Sequence, residues 1–596
     1  MKKLFIILPF FFAAYNAAGQ YFLRGDIKNE KKSALANVRT FVHTSKKIQY
    51  TDSYGSFGIT GAAKFDSVTF TLEDYEKKTV YVKTDIFQHI VLKAVPSSAK
   101  SNKPALVSTV KDAVKLQKYS WNPGNETYMK LAENDFVNTS VFPRTGLSLN
   151  VNKASYSNVR RFINWESTVP PDAVRAEELI NYFNLRYSEP APGNVFYAES
   201  RLTSCPWNKP EQLLFINVSA KHIDISKAPP GNFVFLIDVS GSMDKPNRLP
   251  LLKEAFKMFV KNLRPYDKIS IVRYGGTVSI WLQGASGSEK EKILQSIDKL
   301  VAFGDTPGES ALRIAYKLAA KTFIKNGTNR VVLATDGDFN VGESSDRALE
   351  ELITTQRQTG VYLTCLGVGM GNYKDSKLQT LAKKGNGNYA YLDDLREAQK
   401  VLVKELAQTF YTVAENAVMN VHFNPAYVKQ YRLIGFENKK EALADSSALL
   451  EGGEVGSGSS IMAIFEIIPT ELGAGKNNAD DLAAINIEYG LRNEAKLREI
   501  KFSIKNNYVH IDSAETELKF AAAVTMFALK LKQSKYATGI AWKSILTLAK
   551  SASDKNDVSR QEFIQLIEKA KRIYEPKKKR FVWFRKLTGK YEESGG

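Results

Sequence analysis

Short runs in which apolar and polar residues alternate follow residue 20: FLRGDI, NVRTFVHT, GSFGIT, DSVTFTL, KTVYVKT and HIVLKA. A period of two puts one face of a strand in a core and the other in water, so these runs predict a small antiparallel β-sandwich over residues 21–94. Within Thr51-Asp52-Ser53-Tyr54-Gly55-Ser56-Phe57, Gly55 suits a turn backbone and Phe57 returns to the core. The alternation then lapses. Residues 95–145, with SSAKSNKP and SWNPGNE, read as a linker.

From residue 146 the spacing is helical. Val159, Phe162 and Ile163 form one apolar face, and Val174, Leu179, Ile180 and Phe183 form another beyond Pro170-Pro171, with Asp172 placed to cap the second helix. Arg160, Arg161, Glu177 and Glu178 are expected on solvated faces, in local ion pairs. Strand-like runs from Phe196 to Val218, around Cys205-Pro206-Trp207, complete an accessory region over 146–229. Between 230 and 411 strands and helices alternate, from GNFVFLID through KISIVRY, NRVVLAT and VYLTCLGV to one long closing helix over LREAQKVLVKELAQTFYTVA. That order predicts a doubly wound α/β domain, with Cys365 in the core of an apolar strand. Residues 412–590 begin strand-rich and end helical, with Phe520, Val524, Phe527 and Leu531 on one apolar face. The fold class is therefore multidomain: an N-terminal β-sandwich, a central α/β domain, and a C-terminal β-rich region with a helical cap. A chain of 596 residues has room for several such cores.

The first residues follow neither period. Lys2 and Lys3 precede an apolar run and then Ala17, Ala18 and Gly19, which is the order of a secretory signal peptide over 1–19. No cysteine follows the expected cut, so the usual bacterial lipid attachment has no acceptor. The expectation is an exported protein, periplasmic or associated with the outer membrane or cell surface. Two cysteines and five histidines argue against a disulfide framework and a multi-histidine zinc site. Lys and Arg (83) outnumber Asp and Glu (63), giving a charge of +20 that attracts acidic polymers or lipids without choosing between them. It concentrates in Lys577, Lys578, Lys579 and Arg580, beside Phe581, Trp583 and Phe584, a tail suited to peripheral contact with an anionic envelope surface. In an exported chain no nucleic-acid partner is expected.

The sharpest chemistry lies in DVSGSM. Asp238, Ser240 and Ser242 stand at alternate positions around Gly241, after an apolar strand, so three oxygen side chains can converge on a divalent cation. Thr306 sits in a glycine-containing loop before a helix, and Asp336 and Asp338 end another strand. Loops at the carboxyl edge of one sheet would bring these oxygens together. Mg2+ is the expected ion, with Ca2+ or Mn2+ as alternatives. No nucleophile with a positioned base is evident, and DTPGES lacks the lysine of a nucleotide phosphate loop, so no enzymatic turnover is expected.

These motifs resemble known families. The 21–94 runs are similar to the carboxypeptidase regulatory-like, or transthyretin-like, module, which implies a structural or docking role and no peptidase activity. Asp238-Val239-Ser240-Gly241-Ser242, the Thr306 loop and Asp336 resemble the von Willebrand factor type A domain with a metal-ion-dependent adhesion site. That resemblance implies direct metal binding by Ser240 and Ser242, direct or water-mediated binding by Asp238, and further ligands in Thr306 and Asp336. VRRFIN, PPDAVRAEELINYF, DVSGSM, NRVVLATDGDFNVG, KGNGNYAYLDDL and YRLIGFEN together resemble the YfbK-type bacterial proteins from about Ser148 almost to the end. Asn150 and Asn152 replace acidic residues of that family phrase, and GDTPG replaces its GGST-like loop, which puts an extra cation role in doubt and bears on metal affinity. The implied function is an exported protein-binding or assembly module whose Mg2+ captures an acidic residue of a protein partner. The alternative is a structural cell-envelope component whose metal only stabilises the fold.

Overall fold

Alternation in the first unit, Met1–Tyr119, becomes seven strands: β1 (Tyr21–Asn29), β2 (Arg39–Val42), β3 (Ile48–Tyr50), β4 (Ser56–Gly61), β5 (Phe65–Thr71), β6 (Lys78–Lys83) and β7 (Gln88–Leu92). The computed structural model describes residues 21–94 and 126–575, except 31, 53, 62, 73–74, 305–307, 338–345, 372, 437–451, 476, 478–479, 493 and 495. The expected signal peptide, linker residues 95–125 and the basic tail lie outside the described residues. Two sheets, β4-β1-β7 and β3-β2-β5-β6, share a core of Leu23, Ile27, Val42, Phe57, Val68, Phe70 and Leu92. The expected antiparallel arrangement needs one correction, because β1 and β7 pair in parallel. Alternation reports which face is buried and is blind to strand direction. Gly55 has φ +74, and a Cβ there would stand 2.5 Å from the Ile27 carbonyl oxygen, so the turn requires glycine.

The second unit, Ser120–Gly596, opens with β8 (Val137–Asn138), β9 (Arg144–Ser148), α1 (Ala154–Asn164), α2 (Ala176–Asn181), β10 (Phe196–Ser204) and β11 (Gln212–Ala220). The central domain follows as β12 (Gly231–Asp238), α3 (Leu249–Lys261), β13 (Lys268–Gly275), β14 (Thr277–Ser286), α4 (Lys290–Asp298), α5 (Gly308–Lys321), β15 (Thr328–Thr335), α6 (Asp346–Gln358), β16 (Val361–Val368), α7 (Asp375–Lys384), β17 (Tyr389–Leu392), α8 (Leu395–Gln399) and α9 (Leu406–Phe410). Then come β18 (Thr412–Phe423), β19 (Val428–Ile434), β20 (Gly453–Gly456), β21 (Ser460–Pro469), β22 (Asp481–Gly490), β23 (Arg498–Lys505), β24 (Tyr508–Val509), α10 (Thr516–Lys532), α11 (Trp542–Ser551) and α12 (Val558–Tyr574).

The central sheet runs β14-β13-β12-β15-β16-β17, parallel throughout except at its β14 edge. Phe233, Phe235 and Ile237 pack with α3 residues on one face, while Val234 and Leu236 pack with α5 residues on the other. Burial on both faces is why β12 is a continuous apolar run.

The segments flanking this domain share sheets with each other. The β10–β11 hairpin lies in the order β24-β10-β11-β21-β19-β8, and β9 pairs with β18 of the second sheet. Leu147, Phe196, Leu214, Met419, Phe465 and Ile485 belong to the core shared by these strands. Residues 126–145, polar enough to read as linker, carry β8 and bury Asn134, whose amide donates to the carbonyls of Leu433 and Gly435. In α10, Phe520, Val524, Phe527 and Leu531 are buried in a cluster that also takes residues from α1, α2, α11 and α12.

The charged residues of α1 and α2 correct the expectation of solvated faces. Arg160, Arg161, Glu177 and Glu178 are all buried. Arg160 donates to Asp393, Glu397 and Glu562, and Arg161 to Glu126. Arg175 bridges Glu178 at 2.5 Å and Asp375 of α7 at 2.7 Å. Helical spacing identifies a polar face, but only packing shows that the central domain and other segments of the chain cover it. Asp172 does not cap α2: it lies in the turn Pro171–Ala173 and accepts from the Leu131 amide at 3.3 Å, while Arg175 stands at the α2 entry. The closing helix is interrupted by a wider turn over Lys400–Lys404, after which Glu405 pairs with Lys153 and Lys400.

Arg175→Ala would leave Glu178 and Asp375 buried without their cation, a loss of about 3–5 kcal/mol. Denaturant unfolding should show a lower midpoint; an unchanged midpoint would remove this bridge as a source of stability.

Candidate metal centre

β12 ends at the carboxyl edge of the central sheet with Asp238, and the chain turns sharply there. The Ser240 amide donates to Asp238 Oδ1 at 2.9 Å, and a short turn, Gly241–Met243, carries Ser242 beside it. The Gly241 amide donates to the Gly304 carbonyl at 2.9 Å, holding this turn against the loop that precedes α5. The neighbouring strand β15 ends at Thr335, whose hydroxyl donates to Asp238 Oδ2 at 2.9 Å, and Asp336 follows. The Ser240 and Ser242 hydroxyl oxygens stand 3.1 Å apart, and Ser242 donates to Asp336 Oδ2 at 2.8 Å. Asp238, Ser240, Ser242 and Asp336 are therefore gathered at one point. Thr306 and Asp338 lie outside the described residues.

Oxygens adjacent in an octahedral shell, each about 2.0–2.1 Å from a small cation, stand about 2.9 Å apart. The separations of 3.1 and 2.8 Å fit that spacing. A donor set of carboxylates and hydroxyls suits Mg2+, Mn2+ or Ca2+ better than a softer metal. Asp238, Ser240 and Asp336 are buried, whereas Ser242 is exposed, so the group meets solvent on one side. Burial lifts the Asp238 carboxyl to about 6 against the hydrogen bonds from Ser240, and the neighbouring Asp336 charge adds to the rise. The Asp336 charge acting on Asp238 favours a cation at this edge.

Sequence reasoning missed two members of the site. Thr335 orients Asp238, and its only signal was its place beside Asp336. Arg248, buried at the entry to α3, donates to Asp336 Oδ2 at 2.5 Å, to the Ser242 carbonyl at 2.7 Å and to the Met370 carbonyl at 2.8 Å. The guanidinium is thus held by two backbone carbonyls as well as by the carboxylate. Gly369, with φ +78, lets the loop after β16 pass this side chain; a Cβ would stand 2.5 Å from Arg248 Nε. A charged residue opening the apolar run LPLL was the available signal for Arg248.

Residues 232–405 match the von Willebrand factor type A domain, residues 122–215 match a von Willebrand factor model, and residues 408–573 match the model described as "Uncharacterized protein YfbK, C-terminal". The chain is 37% identical over 475 residues to the uncharacterized protein YfbK of Escherichia coli (strain K12), covering 75% of this chain and 82% of that one. The chain belongs to the YfbK family. Outside that family, inter alpha-trypsin inhibitor, heavy chain 4, of Mus musculus is 26% identical over 171 residues, 27% of this chain but only 18% of that protein. The solved von Willebrand factor type A structure from Catenulispora acidiphila aligns with a TM-score of 0.37 and 14% identity, over 63% of this chain and 89% of that chain, too distant to carry an argument. Type A domains generally mediate protein–protein interaction and often carry a metal site.

Two outcomes are expected for this YfbK-family site. Because Asp238 is protonated below about 6 and a cation takes the carboxylate, Mg2+ affinity should rise with pH through that value and level off above it. Calorimetry at pH 5 and 7 should differ about tenfold; equal affinities would take Asp238 out of the ligand set. Arg248→Gln removes a fixed positive charge from Asp336 and should tighten Mg2+ on the order of tenfold, measured in the same calorimeter. Weaker binding would instead make Arg248 a required support of the site.

Proposed function

We propose that this protein is an exported protein-binding or assembly module in which Mg2+, held by Asp238, Ser240, Ser242 and Asp336 with Thr306 as a further ligand, captures a carboxylate from a partner protein. The observation that carries this reading is the convergence of four oxygen side chains at the carboxyl edge of the sheet, with Ser242 on the solvent side. A cation bound to an incomplete protein shell accepts an outside carboxylate at its remaining positions. The buried remainder of the site gives that contact a fixed direction, and the surrounding surface supplies specificity. Asp238 and Asp336 offer two negative charges against the Arg248 guanidinium, so an acidic partner adds charge that a divalent ion still lacks.

The first unit serves in this reading as a structural or docking module of the carboxypeptidase regulatory-like kind. The basic tail adds contact with an anionic envelope surface, and the protein acts in the periplasm or at the cell surface. No reaction is assigned to it.

The test is a pull-down from native envelope extract with Mg2+ and with EDTA, repeated with Ser240→Ala. Capture of an acidic partner should need Mg2+ and fall at least about tenfold in the variant. Capture indifferent to both changes would favour the second reading, a structural envelope component in which the metal only stiffens the domain. The interdomain ion pairs of Arg160 and Arg175 are the observation that supports that reading.

A further inference from the structure

A second cluster of ligating groups lies far from the central sheet edge in sequence. The turn between β10 and β11 is closed by the Cys205 amide donating to the Glu211 carbonyl at 3.0 Å. β11 pairs with β21, which brings Leu213 opposite Glu466, and β19 places Arg432 opposite Glu466 on the other side. Cys205, Glu211 and Glu466 are 3%, 8% and 0% exposed, and one ligand atom of each lies within 4.8 Å of the other two. Two carboxyl groups and a thiol thus share an interior site with one guanidinium.

The two oxygens of Glu466 are used differently. Arg432 grips Oε2 through Nε at 2.8 Å and through Nη2, while Oε1 faces the cluster, 3.7 Å from Cys205 Sγ and 2.6 Å from the Trp207 indole nitrogen. A carboxylate anchored by its outer oxygen with its inner oxygen presented is the arrangement that orients metal ligands. In a tetrahedral site, with metal bonds of about 2.3 Å to sulfur and 2.0–2.2 Å to oxygen, the sulfur and oxygen stand about 3.5 Å apart. The observed 3.7 Å is close to that edge. Glu211 Oε2 is buried with no hydrogen-bond partner, so one oxygen of the cluster still lacks its counterpart.

We propose that Cys205, Glu211 and Glu466 form a structural site for a thiophilic divalent cation of the Zn2+ class. Sulfur among the ligands selects this class over Mg2+, which separates the site chemically from the oxygen-lined centre at Asp238. Three anionic ligands less the Arg432 guanidinium leave two negative charges, which a divalent ion neutralises. Binding forms one metal–sulfur and two metal–oxygen bonds in place of waters of the hydrated ion, which keeps one water as its fourth ligand, and releases two protons to water, one from the thiol and one shared by the two carboxyl groups. The bound cation would staple a turn that precedes the central domain to a strand that follows it.

Co2+ tests the site, because a cobalt–thiolate bond absorbs where carboxylate and hydroxyl ligands do not. The full chain, reduced and stripped with chelator, should develop a thiolate-to-cobalt charge-transfer band that saturates at a single equivalent and is displaced by Zn2+. Ser240→Ala should retain the band. Cys205→Ser should lose it, and Glu211→Gln should weaken Co2+ binding at least about tenfold. No band in the wild-type protein, or a band that survives Cys205→Ser, overturns the proposal. If Cys205→Ser does not fold by circular dichroism, Glu211→Gln decides, and wild-type affinity in that variant overturns it equally.

Discussion

Arg175 stands at the entry to α2, donates to Glu178 of that helix and to Asp375 of the central domain, and is withdrawn from water together with both carboxylates. Arg160 does the same between α1 and Asp393 and Glu397, and Arg330 of β15 reaches Glu454 of β20. Burying a charge is tolerable only when it is paired and hydrogen-bonded. Each of these side chains therefore demands its partner from another segment of the chain. The central domain is held between segments that come before and after it in sequence, at several points.

The site at the sheet edge is attached to this framework. The loop after β16 offers the Met370 carbonyl to Arg248 and the Gly371 amide to Glu126, which Arg161 of α1 also holds. Asp336, Arg248, that loop, Glu126 and α1 thus form a continuous series of polar contacts from the candidate metal ligands to the flanking helices. Such a series supplies rigidity to the site, since each group is constrained on two sides. It also explains why Arg248 lies where a simple ligand set would not require it: its guanidinium is fixed as much by backbone carbonyls as by Asp336.

Much of the central domain was legible. An apolar run such as Phe233–Ile237, rich in aromatic and β-branched residues and bounded by Asp238 and a glycine turn, is too short for a buried helix and reads as a buried strand. The spacing of Asp238, Ser240 and Ser242 marked them as candidates, and the turn Gly241–Met243 after β12 is what brings Ser242 beside Ser240. Asp336 was legible only through a second strand end, and its distance to Ser242 depends on β12 and β15 being neighbours. Arg248 and Thr335 gave weak signals because a residue that positions another has no spacing rule of its own. Arg160, Arg161, Glu177 and Glu178 were misread for a related reason: a polar helix face looks the same whether water or a matching charge will cover it.

Local pattern decided the kinds of element and which oxygen side chains were candidates for one site, because period, turn chemistry and side-chain type act over a few residues. Only the tertiary structure decided that β9, β10 and β11 join strands more than two hundred residues later, and that the charges of α1 and α2 are interior. Pairing across such separations is chosen by the core it completes and the charges it neutralises, and neither is encoded in a window of neighbouring residues. The same holds for Cys205, Glu211 and Glu466, an unremarkable set along the chain that becomes a cluster when β11 and β21 pair.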